Sequence, residues 1–192
     1  MRRLVFLTHP EVVIDPAVPV PRWHLAPAGI AKLRRAAASG ALDGVGAVWA
    51  STETKAIETA GILAAARGLG VRVREELGEN DRSATGYLPP PEFERMADAF
   101  FANPAESVRG WERAVDAQAR IVAAVRAIAA EETAEGDILV AAHGAVGALL
   151  RGQLAGAPIS RALDQPGAGC WFAVELPAFR LLTPDWQVLP PG

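Results

Sequence analysis

Of the three histidines in this 192-residue chain, two stand at the ends of its most continuously apolar runs: His9 after Leu4-Val5-Phe6-Leu7-Thr8, and His143 after Ile138-Leu139-Val140-Ala141-Ala142. Short runs that are apolar on both parities suit strands buried on both faces of a parallel sheet. In open α/β sheets, ligands bind outside the carboxyl ends of such strands, so the two imidazoles are expected to face one crevice. Ser51 follows a third run, Val45 to Ala50, and is expected on the same edge. Ser51-Thr52 and Gly144 are each expected to open a helix. The free N–H groups and positive dipole ends of two such helices favour an anion between them. Lys55, in the first turn after Ser51, would add an ammonium. Three histidines with an open position also make a catalytic zinc site, but nothing in the spacing of His9, His24 and His143 requires one, and no metal is expected. His24, between Trp23 and Leu25, reads as a packed loop residue.

Composition bounds what such a crevice serves. The chain is 51% apolar and 21% charged, ordinary globular values that fit one domain over residues 1–192. Nineteen basic against 22 acidic residues give −3 without a basic block, so no nucleic-acid partner is expected and any anion site must be local. Cys170 is the only cysteine, which excludes an internal disulfide framework and a cysteine-built metal site. The start Met1-Arg2-Arg3-Leu4-Val5 has the look of a leader, yet His9, Pro10, Glu11 and Asp15 interrupt it, and it reads as a first strand. No window approaches the roughly 18 apolar residues of a membrane helix. No membrane contact and a cytoplasmic location are expected; a homodimer is left open. The five tryptophans read as core and loop anchors.

The elements that must position these residues follow from punctuation and period. Glu11 to Trp23 carries Pro16, Pro19 and Pro21, and reads as a long loop suited to be a wall or lid beside His9. Helices are expected over Pro27–Ala38, from Ser51-Thr52 to Gly68, over Glu92–Phe101, from about Gly110 to Glu132, and over Ala145–Leu154, with Arg109-Gly110-Trp111-Glu112 as a helix start. Strands are expected at Leu4–Leu7, Val45–Ala50, Val71–Arg74 and Ile138–Ala142. A terminal hairpin, Gly169–Glu175 with Phe179–Thr183, turns at Pro177-Ala178. The alternation predicts an α/β fold: a mostly parallel central sheet between helical layers, an αβα sandwich.

Taken in order, these residues resemble the histidine phosphatase superfamily, whose fold is phosphoglycerate mutase-like. Thr8-His9-Pro10 stands where the family pattern has Arg-His-Gly. Trp23-His24-Leu25 with Gly29 matches a Trp-x-Leu-(x)3-Gly segment, and Ser51-Thr52-Glu53-Thr54-Lys55-Ala56-Ile57-Glu58-Thr59-Ala60 matches Ser-Ser-(x)2-Arg-Ala-(x)2-Thr-Ala. Leu77-Gly78-Glu79 matches a Leu-x-Glu loop, and Val140 to Gly144 the late strand-His-Gly motif. The resemblance implies a phosphohydrolase without cofactor, acting on a small phosphorylated molecule. His9 would be the nucleophile that becomes phosphohistidine, and a cationic His143 would stabilise the equatorial oxygens. Ser51, Lys55 and Gly144 would help bind the phosphoryl group. Glu79 would be the proton donor, with Asp81 and Glu76 as alternatives in the same loop.

The departures bear on the same pocket. Thr8 replaces an arginine and Lys55 a second, exchanging planar bidentate contacts for a hydroxyl and a point charge. Arginine makes up 17 of the 19 basic residues, so lysine at 55 is not compositional drift. Pro10 has no N–H. Asp15 falls where many members carry a phosphate-contacting asparagine, and a carboxylate there would repel phosphate. Losing one charged donor to a buried anion costs about 1.5–3 kcal/mol, which weakens catalysis without abolishing it. Three readings follow: Arg22 or Arg82 supplies the missing charge; the substrate carries less charge than a phosphomonoester dianion; or the scaffold binds an anionic ligand or partner protein without turnover.

Overall fold

The computed structural model describes residues 1–190. Four strands run parallel, in the order β3 (Val71–Val73), β2 (Val45–Ala50), β4 (Asp137–Ala142) and β1 (Arg2–Thr8). β5 (Cys170–Leu176) pairs antiparallel with β1, and β6 (Arg180–Leu181) and β7 (Gln187–Val188) pair with β5. The central strands need apolar residues on both parities because both faces are covered. Ile138, Val140 and Ala142 of β4 pack with Leu4 and Phe6 on one face, while Leu139 and Ala141 pack with Leu7, Val48 and Ala50 on the other.

Helices α1 (Pro27–Ala38) and α2 (Thr54–Ala65) cover the second face. α3 (Pro90–Ala102), α4 (Ala114–Glu131) and α5 (Gly144–Leu154) cover the first, giving the expected three layers. Pro27 and Pro90 each sit in a first helical turn, where proline's missing N–H is no loss.

Several boundaries differ from expectation. α2 starts at Thr54 and not at Ser51, because Glu53 is extended and serves as the N-cap; it ends at Ala65, short of Gly68. α4 starts at Ala114 and not at Gly110, because Arg109 (φ 49°) and Gly110 (φ 84°) take left-handed conformations and the chain re-extends at Trp111 before the helix begins. The second hairpin strand shrinks to Arg180–Leu181, with Phe179 (φ 54°) making the turn, and the pairing of β7 with β5 is an addition. No α-helix among the described residues is long and apolar enough to cross a membrane.

Strand register sets the site. Thr8 pairs with Ala142 across β1 and β4, so the next residue of each strand, His9 and His143, emerges at the same level of the carboxyl edge. Ala50 pairs with Ala141 across β2 and β4, which brings Ser51 beside them. The Ser51 N–H donates to the Ala141 carbonyl and that of His9 to the Ala142 carbonyl.

Candidate active site

The rings of His9 and His143 stand 5.4 Å apart between centroids, edge to face. His9 borders a cavity of about 500 Å³ whose wall also includes Lys55, Glu79, Arg82, Gly144, Asp164 and Gln165. Its Nδ1 lies 2.9 Å from the Pro10 carbonyl, which fixes the proton on Nδ1 and leaves a lone pair on Nε2. Burial outweighs that hydrogen bond and, with Lys55 and Arg82 nearby, lowers the pKa of His9 to about 4, so the ring is neutral near pH 7. This is the state a nucleophile needs.

His143 is fully buried, and Ser51 Oγ lies 2.7 Å from its Nε2. Its Nδ1 is buried without a partner among the described residues. Such an orphan is uncommon in a folded protein, and it belongs to the ring that packs against His9, which does line the cavity. Burial also lowers its pKa to about 4, against the pull of Glu53 and Glu79. Near pH 7 His143 is therefore neutral in this structure, because desolvation outweighs its carboxylate neighbours.

Lys55 is almost wholly buried, as a pocket ammonium must be, but it is already engaged. Its Nζ donates to the Val20 carbonyl at 2.9 Å and to Glu53 Oε2 at 2.5 Å. Glu79 also borders the cavity, and the N–H groups of Ala145 and Val146 donate to its carboxylate at 3.1 and 3.0 Å. The N–H groups at the α5 N-terminus that an external anion was expected to meet thus already hold a side chain of the protein itself. Asp81 and Glu76 are exposed and line only a neighbouring cavity.

Thr8 is completely buried, and its hydroxyl donates to Gln165 Oε1 at 2.5 Å and accepts from the Cys170 N–H at 2.9 Å. A neutral carboxamide therefore stands beside the residue that replaces the expected arginine. Gly144 permits this approach, since a Cβ there would come within 2.5 Å of Gln165 Nε2. Arg82 lies over the faces of Phe93 and Trp111 at 5.1 and 5.6 Å and has no ion-pair partner among the described residues. It remains a free guanidinium on the cavity wall.

Asp15 and Arg22 are not brought to the cavity. Asp15 is exposed and closes a turn through the Ala17 N–H, and Arg22 ends the exposed 3-10 turn Val20–Arg22. His24 is exposed as well, its Nδ1 2.6 Å from Glu58 Oε1, rather than packed in its loop. The proline-rich loop serves as a wall: Val12, Val20 and Trp23 line the cavity, and the Trp23 indole N–H donates to the Asp15 and Val18 carbonyls.

Three residues escaped the sequence reading. Glu53 occupies a position the motif leaves open. Gln165 and Asp164 come from a loop before β5 that no spacing connects to the histidines. Burial and the proximity of Glu79 raise the Asp164 pKa above the usual carboxylate range.

A family model described as the histidine phosphatase superfamily (branch 1) matches residues 20–175, starting beyond the divergent Thr8-His9-Pro10. No curated protein matches the chain. Among solved structures the chain is similar to a mycobacterial glucosyl-3-phosphoglycerate phosphatase, with 21% identity, 100% of each chain covered and a TM-score of 0.77. That phosphatase has also been solved with inorganic phosphate. YhfR of Bacillus stearothermophilus matches at 22% identity over 96% of each chain, with a TM-score of 0.78. A phosphoserine phosphatase of Entamoeba histolytica, solved with 3-phosphoglyceric acid, matches at 15% identity over 97% of each chain, with a TM-score of 0.74. At these identities the likeness speaks for the fold.

Proposed function

The chain belongs to the histidine phosphatase superfamily, and from that membership we propose that it hydrolyses phosphate esters through a phosphohistidine on His9. The observation that carries this reading is the pair of neutral imidazoles at one sheet edge, one with a free Nε2 lone pair and the other with an unpartnered buried Nδ1. His9 Nε2 attacks phosphorus and the ester P–O bond breaks. The leaving oxygen takes a proton from Glu79, which then receives one from the water that cleaves the P–N bond, releasing phosphate and restoring His9. His143, Lys55, Arg82 and the backbone at Gly144 bind the phosphoryl oxygens, and Ser51 orients His143. Residues 1–192 act as one domain on a small phosphorylated substrate, in the cytoplasm.

The test is hydrolysis of generic phosphate esters in the presence of chelator by the wild-type protein and by His9→Ala. Turnover with acid-labile phosphate on the wild-type protein, and neither in the variant, supports the mechanism. Turnover that survives the substitution refutes it. One observation favours a second reading: with Lys55 already paired to Glu53, the clamp on the transferring phosphoryl group is weakened, which fits a scaffold that binds an anion without turnover. Saturable phosphate binding without any phosphoenzyme is the outcome that selects it.

A further inference from the structure

Glu53 meets the pocket at three points. Its side chain is 12% exposed. Oε2 pairs with the Lys55 ammonium at 2.5 Å, while Oε1 lies 3.3 Å from His143 Nε2 and accepts the Glu79 N–H at 3.0 Å. An ionised carboxylate at that distance repels a lone pair on Nε2. It therefore selects the tautomer in which the Nε2–H faces Ser51 Oγ and Glu53, and Nδ1 carries the lone pair. The carboxylate is ionised near pH 7: burial pushes its pKa up, but His143, Lys55 and the hydrogen bonds it accepts outweigh that and hold it at about 2.

The charge count then poses a problem. Thr8 brings no charge, and Lys55 shares its charge between the pocket and one oxygen of Glu53. An incoming phosphoryl oxygen at His143 would meet the lone pair of Nδ1. We propose that Glu53 is a positioning residue for His143, fixing its Nε2–H and supplying the counter-charge that lets Nδ1 take a proton from solvent when an anion enters. An imidazolium made on demand then does the work of a missing guanidinium.

The groups facing His143 divide evenly. Glu53 and Glu79 favour the proton, while His9 and Lys55 oppose it. Arg82 acts on His9, and Arg120, paired with Glu112, lies behind Glu53 and Glu79. Burial decides against the proton in the empty pocket, and a bound dianion adds the negative charge that reverses the balance. The idea rests on the proposed placement of the phosphoryl group between the two histidines.

Sulfate is a suitable probe because it is a dianion that does not titrate near neutral pH. Calorimetry at pH 7 in two buffers of different ionisation heat is expected to show about one proton taken up per sulfate by wild-type protein and by Glu53→Asp. The uptake should shrink as the pH approaches 4, where His143 is already protonated in the free protein. Glu53→Gln should take up less than half as much, the equivalent of about one pKa unit, even though it frees the Lys55 ammonium for the anion. Nitrogen-15 NMR of the free wild-type protein should place the His143 proton on Nε2. Sulfate binding without proton uptake, an Nδ1–H tautomer, or a Glu53→Gln variant with the same proton uptake would overturn the proposal. If Glu53→Gln does not fold, wild-type uptake and tautomer still decide. A wild-type protein that takes up the proton where Glu53→Gln does not, yet hydrolyses no ester, supports the role of Glu53 and refutes the hydrolase reading.

Discussion

Proline at position 10 costs the pocket little, because the contact His9 makes there is with a carbonyl, which proline keeps. That bond fixes the tautomer and burial keeps the ring neutral, which gives a pH prediction with a definite sign. A group whose folded pKa is lowered loses its working form only as pH falls through the lowered value, so the acid limb of kcat/KM should lie near 4. A limb near the ordinary histidine value would show a solvated ring. Glu79 invites a second test. Glu79→Gln should lower kcat for an alkyl phosphate by about 10²–10³-fold, and far less for nitrophenyl phosphate, whose leaving group needs no proton. Equal losses on both substrates would make Glu79 a fixture of the α5 N-terminus and move the proton to Asp164. The histidines, Lys55 and Glu79 were legible because each sits at a strand end or in an ordered motif. Glu53 was not, because a motif reports which positions are constrained and is silent about a carboxylate at an open one.

At the scale of elements, parallel pairing explains why residues far apart in sequence meet. The match of Thr8 with Ala142 levels the two histidines, and the sequence revealed it because unbroken apolar runs ended alike. Helix starts were less legible. Nothing in Ser51-Thr52-Glu53 announces that Glu53 is the extended N-cap, a choice made by its contacts with Lys55 and the Glu79 backbone. Two glycines separate strand geometry from site geometry. Gly46 is the extra residue at the shift between Val45 and Ala47, and a Cβ there would lie 1.7 Å from the Glu135 carbonyl oxygen, a backbone atom that cannot yield cheaply. Gly46→Ala should cost roughly 3 kcal/mol in urea unfolding. In Gly144→Ala the Cβ meets only the amide end of Gln165, which can swing aside. Stability should change by less than about 1 kcal/mol, while kcat/KM falls by up to about a hundredfold as the Thr8–Gln165 contact is lost and the pocket shifts. Denaturation midpoints and steady-state kinetics on the two variants check both, and a Gly144→Ala variant with unchanged kinetics would place Gln165 outside the working pocket.

For the whole molecule, the cavity is a convergence of distant segments. Trp23 and Tyr87, 5.8 Å apart, come from two loops, Phe93 from α3 and Trp111 from the turn before α4. No local period encodes such a wall, so it stayed hidden while the layers were readable. Assembling it buries titratable groups, and the fold bears the consequence. His9 and His143 are neutral inside and titrate near 6.5 when unfolded, so between pH 6.5 and about 4 the unfolded chain binds protons that the folded one refuses. Stability must fall as pH drops across that window and level off below it for these two groups. Glu53, ionised inside, extends the loss from about 4.5 down to about 2. The fully buried His143 alone accounts for about 3 kcal/mol, which in a chain of this size lowers the Tm by roughly 5–10 °C. His143→Asn should therefore be less acid-sensitive than the wild type whatever its stability at pH 7, and sulfate should protect the wild type increasingly as the pH falls from 7 towards 5. Thermal unfolding at pH 7, 5.5 and 4.5 with and without sulfate tests this. A profile equally steep in both proteins would locate the acid lability outside His143 and remove the burial on which its neutral state depends.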